Sequence, residues 1–117
     1  MQNHKNELRE TTISFALDVS DVCEMITGCK SYVNQIIRSS SSIGANIYEA
    51  KYAQSRADFI NKLEIALKEC SETEYWLELL RRKEAISYER FKALNKARGT
   101  IQRMLIASIT TAKKNGE

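Results

Sequence analysis

The 117-residue chain is predicted to be all-α, an antiparallel up-and-down four-helix bundle. Three observations carry that reading. There is no proline and there are four glycines, Gly28, Gly44, Gly99 and Gly116, so helix breakers and turn formers are scarce. Apolar residues recur at spacings of three and four over long stretches, which is the period of a helix stripe. The period-2 alternation of a half-buried strand never lasts more than a few positions. A chain of this length suits one core, and residues 1–117 read as a single domain.

Helix 1 is expected over about 7–27. Leu8, Thr12, Phe15, Val19, Val22 and Ile26 fall on one stripe. Gly28 is a natural terminator, because it takes a left-handed backbone without a Cβ clash. Helix 2 is expected over about 31–52, with Ser31 as its N-cap. Val33, Ile36, Ser40, Ile43, Ile47 and Ala50 keep the same spacing. The middle of this helix is small, with Ser39–Ser42, Gly44 and Ala45 together. Serine and glycine are mediocre helix formers, but they let a neighbouring backbone come close while the hydroxyls bond back to carbonyls one turn earlier. A flexible Ser-rich linker is the competing reading, and Ile43 and Ile47 just after the serines count against it.

Helix 3 is expected over about 55–83, opened by Ser55 with Asp58 three residues on, as in a capping box. Its main stripe is Phe59, Leu63, Ala66, Cys70, Thr73, Leu77 and Leu80. Ile60 and Leu67 widen it on one flank, Ile65 and Trp76 on the other, giving an apolar arc wide enough for more than one partner surface. Ile86-Ser87 reads as a turn and N-cap, with Ile86 placed to staple onto Phe91. Helix 4 is expected over about 87–113, with Phe91, Leu94, Ile101, Leu105 and Ser108 inward. Gly99 in its interior costs about 1 kcal/mol against alanine. Short connections make successive helices antiparallel. Two helical hairpins exchanged between subunits would give the same pattern.

Catalytic chemistry finds little support. The single histidine is His4, close to the N-terminus, and a di-iron bundle would need Glu-x-x-His motifs that are missing. There is no Gly-rich phosphate loop and no G-x-S-x-G elbow. Glu69 and Glu72 share a flank of helix 3 with Trp76, but glutamates at this spacing usually form a solvated or ion-paired face. Cys23, Cys29 and Cys70 are odd in number and form no C-x-x-C pair, which suits free thiols in a reducing compartment. The segment MQNHKNELRE lacks the apolar core of a signal peptide, and no apolar run is long enough for a bilayer. The expectation is a cytoplasmic, non-enzymatic protein with no cofactor, metal, membrane or small-molecule substrate.

Charge is polarised along the chain. Through Leu80 there are 8 Lys/Arg against 12 Asp/Glu; from Arg81 onward there are 10 against 3. Arg81, Arg82, Lys83, Arg90, Lys92, Lys96, Arg98 and Arg103 thus outline a basic stripe on the helix 3–4 turn and helix 4. One reading is a solvated face complementing acidic flanks elsewhere. The other is a candidate nucleic-acid surface for phosphate backbones, which needs positive charge and no base-reading motif.

The segment Q-I-I-R-S-S-S-S-I-G-A-N-I-Y-E-A (Gln35–Ala50), followed by D-F-I-N-K-L-E-I-A-L-K-E-C-S-E-T-E-Y-W-L-E-L-L (Asp58–Leu80), resembles the bacterial four helix bundle protein family. That family is also called the 23S rRNA-intervening-sequence proteins, because some members are encoded in insertions within large-subunit rRNA genes. The resemblance covers helices 2 and 3 by motif and the flanking helices by pattern. It implies a four-helix bundle, a homo-oligomer most often described as a pentamer, and no established enzymatic activity. A similar fold serves the basic pentameric accessory protein of diversity-generating retroelements, which binds a reverse transcriptase and nucleic acid.

Family-motif positions present here are Arg38, Ser42, Asn46, Glu49, Glu69, Glu72 and Trp76. They are expected to form a buried polar network between helices 2 and 3, with Arg38 neutralising a carboxylate and Asn46 bridging. Ser40 and Ser41 stand where family members often have glycine or threonine, a mild departure. Two functions follow: an oligomeric nucleic-acid-binding or ribonucleoprotein accessory module, or a structural and protein-interaction module without nucleic acid.

Overall fold

Helix formation is dictated by the stripes, and the turns by a few backbone specialities. The computed structural model describes the backbone of residues 2–116 and the side chains of residues 7–116. It contains α1 (Gln2–Glu24), α2 (Lys30–Ala50), α3 (Arg56–Arg82) and α4 (Tyr88–Asn115), and no strand among the described residues. Each helix packs on its chain neighbours and α4 returns to α1, closing a four-cornered bundle of 48 × 22 × 18 Å. His4 falls outside the described side chains.

The core is the expected one in outline. Phe15, Val19, Ile36, Ile43, Leu63, Leu77, Leu80, Ile101 and Leu105 are all buried, as are the small Ala66, Cys70 and Thr73 of α3. Ser39 and Ser40 are also buried. Their hydroxyls return to the Ile36 and Ile37 carbonyls, and Ser39 Oγ meets Thr73 Oγ1 of α3 at 2.9 Å. The serine run is therefore a helical contact surface and not a linker. Gly44 serves the other side of α2, where an added Cβ would lie 3.4 Å from Thr12 Oγ1.

Two turns are built on left-handed residues. α1 ends at Glu24, and its last turn tightens through i−3 bonds from Met25 to Val22 and from Ile26 to Cys23. Gly28 (φ +81) is then followed by a second left-handed residue, Cys29 (φ 52), which occupies the N-cap position of α2 without a side-chain cap bond. Ser31 is therefore inside the helix, because the paired left-handed residues complete the reversal before it is reached. At the end of α3, Ala85 N–H donates to the Leu80 carbonyl and Glu84 N–H to that of Arg81, with Glu84 at φ +59. This is a Schellman closure with glutamate where glycine is favoured. The caps at Ser55 and Ser87 are as expected, accepting from Asp58 N–H and Arg90 N–H.

Gly99 has only the Arg103 guanidinium near an added Cβ, at 3.5 Å. Gly99→Ala is expected to stabilise the fold by about 0.5–1 kcal/mol, as helix propensity is gained without a clash. A urea titration with an unchanged m-value and a raised midpoint checks it.

Candidate functional site: a polar seam and a basic face

The seam between α2 and α3 follows from their close contact. With Ser39 held against Thr73, the adjacent Arg38 reaches across the outer lip of the contact. Its Nη1 lies 3.2 Å from Glu69 Oε1, its Nη2 pairs with Glu72, and its Nε donates to Gln35. Trp76 Nε1 donates to the same Glu72 carboxylate at 3.2 Å. Tyr32 stacks on Trp76 with centroids 6.1 Å apart, and Tyr75 meets its edge at 5.0 Å. One end of this seam is thus aromatic and the other ionic. The Trp76 indole, then Arg38, hold the Glu72 carboxyl below its ordinary range.

The seven motif positions do not form the single buried network anticipated. Arg38 is about half exposed, and Glu72 about one-third. Glu49 pairs with Lys62 at 2.9 Å, separately from the Arg38 cluster. Asn46 does not bridge: its Nδ2 donates to the Ser42 carbonyl of its own helix at 2.9 Å and to Ser42 Oγ at 3.3 Å. Asn46 lies about two turns beyond Arg38 on α2, and its amide is satisfied locally by Ser42.

The basic residues separate into paired and unpaired sets. Arg81 and Arg82 both reach Glu78 Oε2, which lowers the Glu78 carboxyl from its ordinary value. Arg81 also lies over the Phe91 ring, 5.2 Å from its centroid. Lys83, Arg90, Lys92, Lys96 and Arg103 are exposed and form no carboxylate ion pair among the described residues. Lys92 sits over the Tyr88 ring at 5.6 Å. Arg98 must be removed from this surface. It is 5% exposed, and bonds Asn95 Oδ1 at 2.8 Å, Gln102 Oε1 at 2.9 Å and Glu74 Oε2 at 3.1 Å. Four residues after Leu94 and three before Ile101, it occupies the inward stripe, and that spacing was the available signal.

Two contacts that the sequence did not point to tie α3 to the end of α4. Arg56 donates to the Ala112 carbonyl at 3.1 Å, satisfying the end of α4, and Lys113 pairs with Glu64. Buried Cys70 lies against the Arg98 carbonyl and guanidinium, and desolvation raises its thiol above the ordinary value. No group of three or more His, Cys, Asp and Glu side chains among the described residues could hold a metal ion, and no helix there is long and apolar enough to cross a membrane. A surface concavity of about 320 Å³ on α1 near Ala97 is lined by Glu10 and Asp18 and by no cation. Another, of about 590 Å³, lies at the α3–α4 turn among Arg81, Arg82 and Arg90.

An antiparallel four-helix bundle with a motif-bearing α2–α3 seam defines the class of protein. The model of the 23S rRNA-intervening sequence protein family matches residues 4–107, and the chain belongs to that family. It is also similar to a crystal structure from Bacteroides thetaiotaomicron VPI-5482, a protein of unknown function from the S23 ribosomal protein family. The two are 44% identical with a TM-score of 0.86, over 92% of this chain and 98% of that one. A comparison with curated proteins finds no match.

Two outcomes test the seam and the corrected core arginine. Arg98→Ala is expected to cost about 2–4 kcal/mol through a cavity and broken polar contacts, and Arg98→Met about 1 kcal/mol or less, by denaturant titration. For Glu72, a folded pKa below the ordinary 4.5 means stabilisation that is present above that value and lost as pH falls through the folded pKa. The Tm gap between the parent chain and Glu72→Gln should therefore narrow below about pH 4.5.

Proposed function

We propose that the protein is a non-enzymatic, homo-oligomeric accessory module of the cytoplasm that binds nucleic-acid backbone through α4. The observation that carries this reading is the set of exposed cations without carboxylate partners among the described residues, Lys83, Arg90, Lys92, Lys96 and Arg103. Were the basic stripe only a complement to the acidic helices, these would be the side chains ion-paired within the bundle. α1 is opposite in character, exposing Glu7, Glu10, Asp18, Asp21 and Glu24. Such polarity orients a polyanion toward α4 and away from α1. Release of counterions from phosphate then supplies affinity without base recognition.

Assembly is supported by a different surface. Ile13, Leu17, Ile37 and Tyr48 are 40–60% exposed on α1 and α2, two helices in contact at Thr12 and Gly44. Exposed apolar side chains of this kind suit burial against a second copy of the chain, and a ring of five is the assembly we propose from the family resemblance. A protein-interaction module without nucleic acid remains the second reading, favoured by the same side chains.

Fluorescence anisotropy with labelled RNA and DNA, titrated with salt, separates the two. Binding should weaken steeply with salt, and neutralising Lys92, Lys96 and Arg103 together should reduce the logarithmic slope by about 2 for a single strand. Light scattering on the same variant should give an unchanged oligomer mass. Absent or salt-independent binding at low ionic strength overturns the nucleic-acid reading in favour of the second one.

A further inference from the structure

We propose that the concavity at the α3–α4 turn binds the terminal phosphate of a nucleic-acid strand, with Tyr88 as the stacking surface for the end base; this rests on the nucleic-acid reading above. The concavity holds about 590 Å³, and its lining includes Arg81, Arg82, Arg90, Ser87, Tyr88 and Glu84. Three arginines and one glutamate are thus among its lining residues. Glu78 outside it offers a single oxygen, Oε2, to both Arg81 and Arg82, so most of their N–H donors are left for another acceptor. Arg81 Nε is itself buried, without a hydrogen-bond partner among the described residues, so the donors open to a ligand are those at the ends of the guanidiniums. A tetrahedral oxyanion offers several acceptors that fit a guanidinium fork.

The geometry also separates this place from the rest of the basic face. Lys92, Lys96 and Arg103 lie on exposed positions of α4, whereas Arg81 comes from α3 and is held over Phe91 of α4 at 5.2 Å. That contact fixes one guanidinium before a ligand arrives, which lowers the ordering cost of binding. Tyr88, 61% exposed, belongs to the same lining and stacks against Phe91 with centroids 6.3 Å apart. A phosphate beside an exposed aromatic ring matches a nucleotide at the end of a strand, whose base is free to stack. An internal phosphate diester carries one less ionisable oxygen and a chain continuing on both sides.

The test is an affinity comparison among three otherwise identical RNAs of about 12 nucleotides, a length within single-strand site sizes. One carries a 5′-phosphate, one a 3′-phosphate, and one hydroxyls at both ends. At least one phosphorylated strand should bind roughly tenfold tighter than the hydroxyl strand. Arg90→Gln, an exposed position, should remove that preference, and Glu84→Gln should increase it. Lys96→Gln should weaken all three strands alike. Equal affinity for the three strands overturns the proposal. If no strand binds, calorimetry with a nucleoside monophosphate and its unphosphorylated nucleoside decides. Heat from the monophosphate alone keeps the pocket while the backbone reading falls; equal or absent heat from both overturns the pocket too.

Discussion

Close contact between α2 and α3 is the constraint on which the rest of the bundle depends. It is made where small buried residues meet, Ser39 of α2 against Thr73 of α3. The hydroxyls of Ser39 and Thr73 meet at 2.9 Å, so the polar atoms that make the contact small are also satisfied within it. A larger residue at Ser39 would push the helices apart and separate Arg38 from Glu69 and Glu72. The motif-bearing seam is therefore a consequence of packing. Its exposed ion pairs contribute little stability alone, and the buried small residues contribute most of the specificity.

Polarity follows from where the four corners place charge. α1 and α4 are adjacent, yet the carboxylates of α1 and the cations of α4 form no ion pair among the described residues. Each helix spends its inward stripe on the core and turns its charges outward. The result is an acidic edge beside a basic one, a dipolar surface that neutral pairing would have erased. Arg98 is the exception that makes the rule visible. Its position on the inward stripe directs it to Glu74, Asn95 and Gln102, and the same charge that would join a phosphate surface is consumed internally.

Much of the fold was legible from spacing. The stripes of α2 and α3 place Ile36, Ile43, Leu63, Leu77 and Leu80 inward, and all five are buried. Ser55 and Ser87 announce helix starts through hydroxyl capping, a purely local interaction. Ser31 does not, because the preceding pair of left-handed residues shifts the helix start, and a backbone dihedral leaves no periodic trace. Asn46 was misplaced for a related reason. Spacing puts Asn46 on one flank with Ser42, and a flank does not say whether an amide bonds along its own helix or across to another.

By itself, the sequence determined that the chain is helical, where the four apolar stripes run, which small residues permit a close approach, and that its second half is basic. These are properties of composition and period, set by side-chain volume and by the 3.6-residue turn. Tertiary structure alone decided which charges remain free. Arg38 finds two carboxylates across the seam, Arg81 and Arg82 share one, Arg98 is enclosed, and Lys92, Lys96 and Arg103 are left facing solvent. Pairing depends on distances between residues far apart in the chain, and no local pattern encodes those distances. The concavity at the α3–α4 turn belongs to the same class, since it exists only where a Schellman turn brings the basic last turn of α3 against the start of α4.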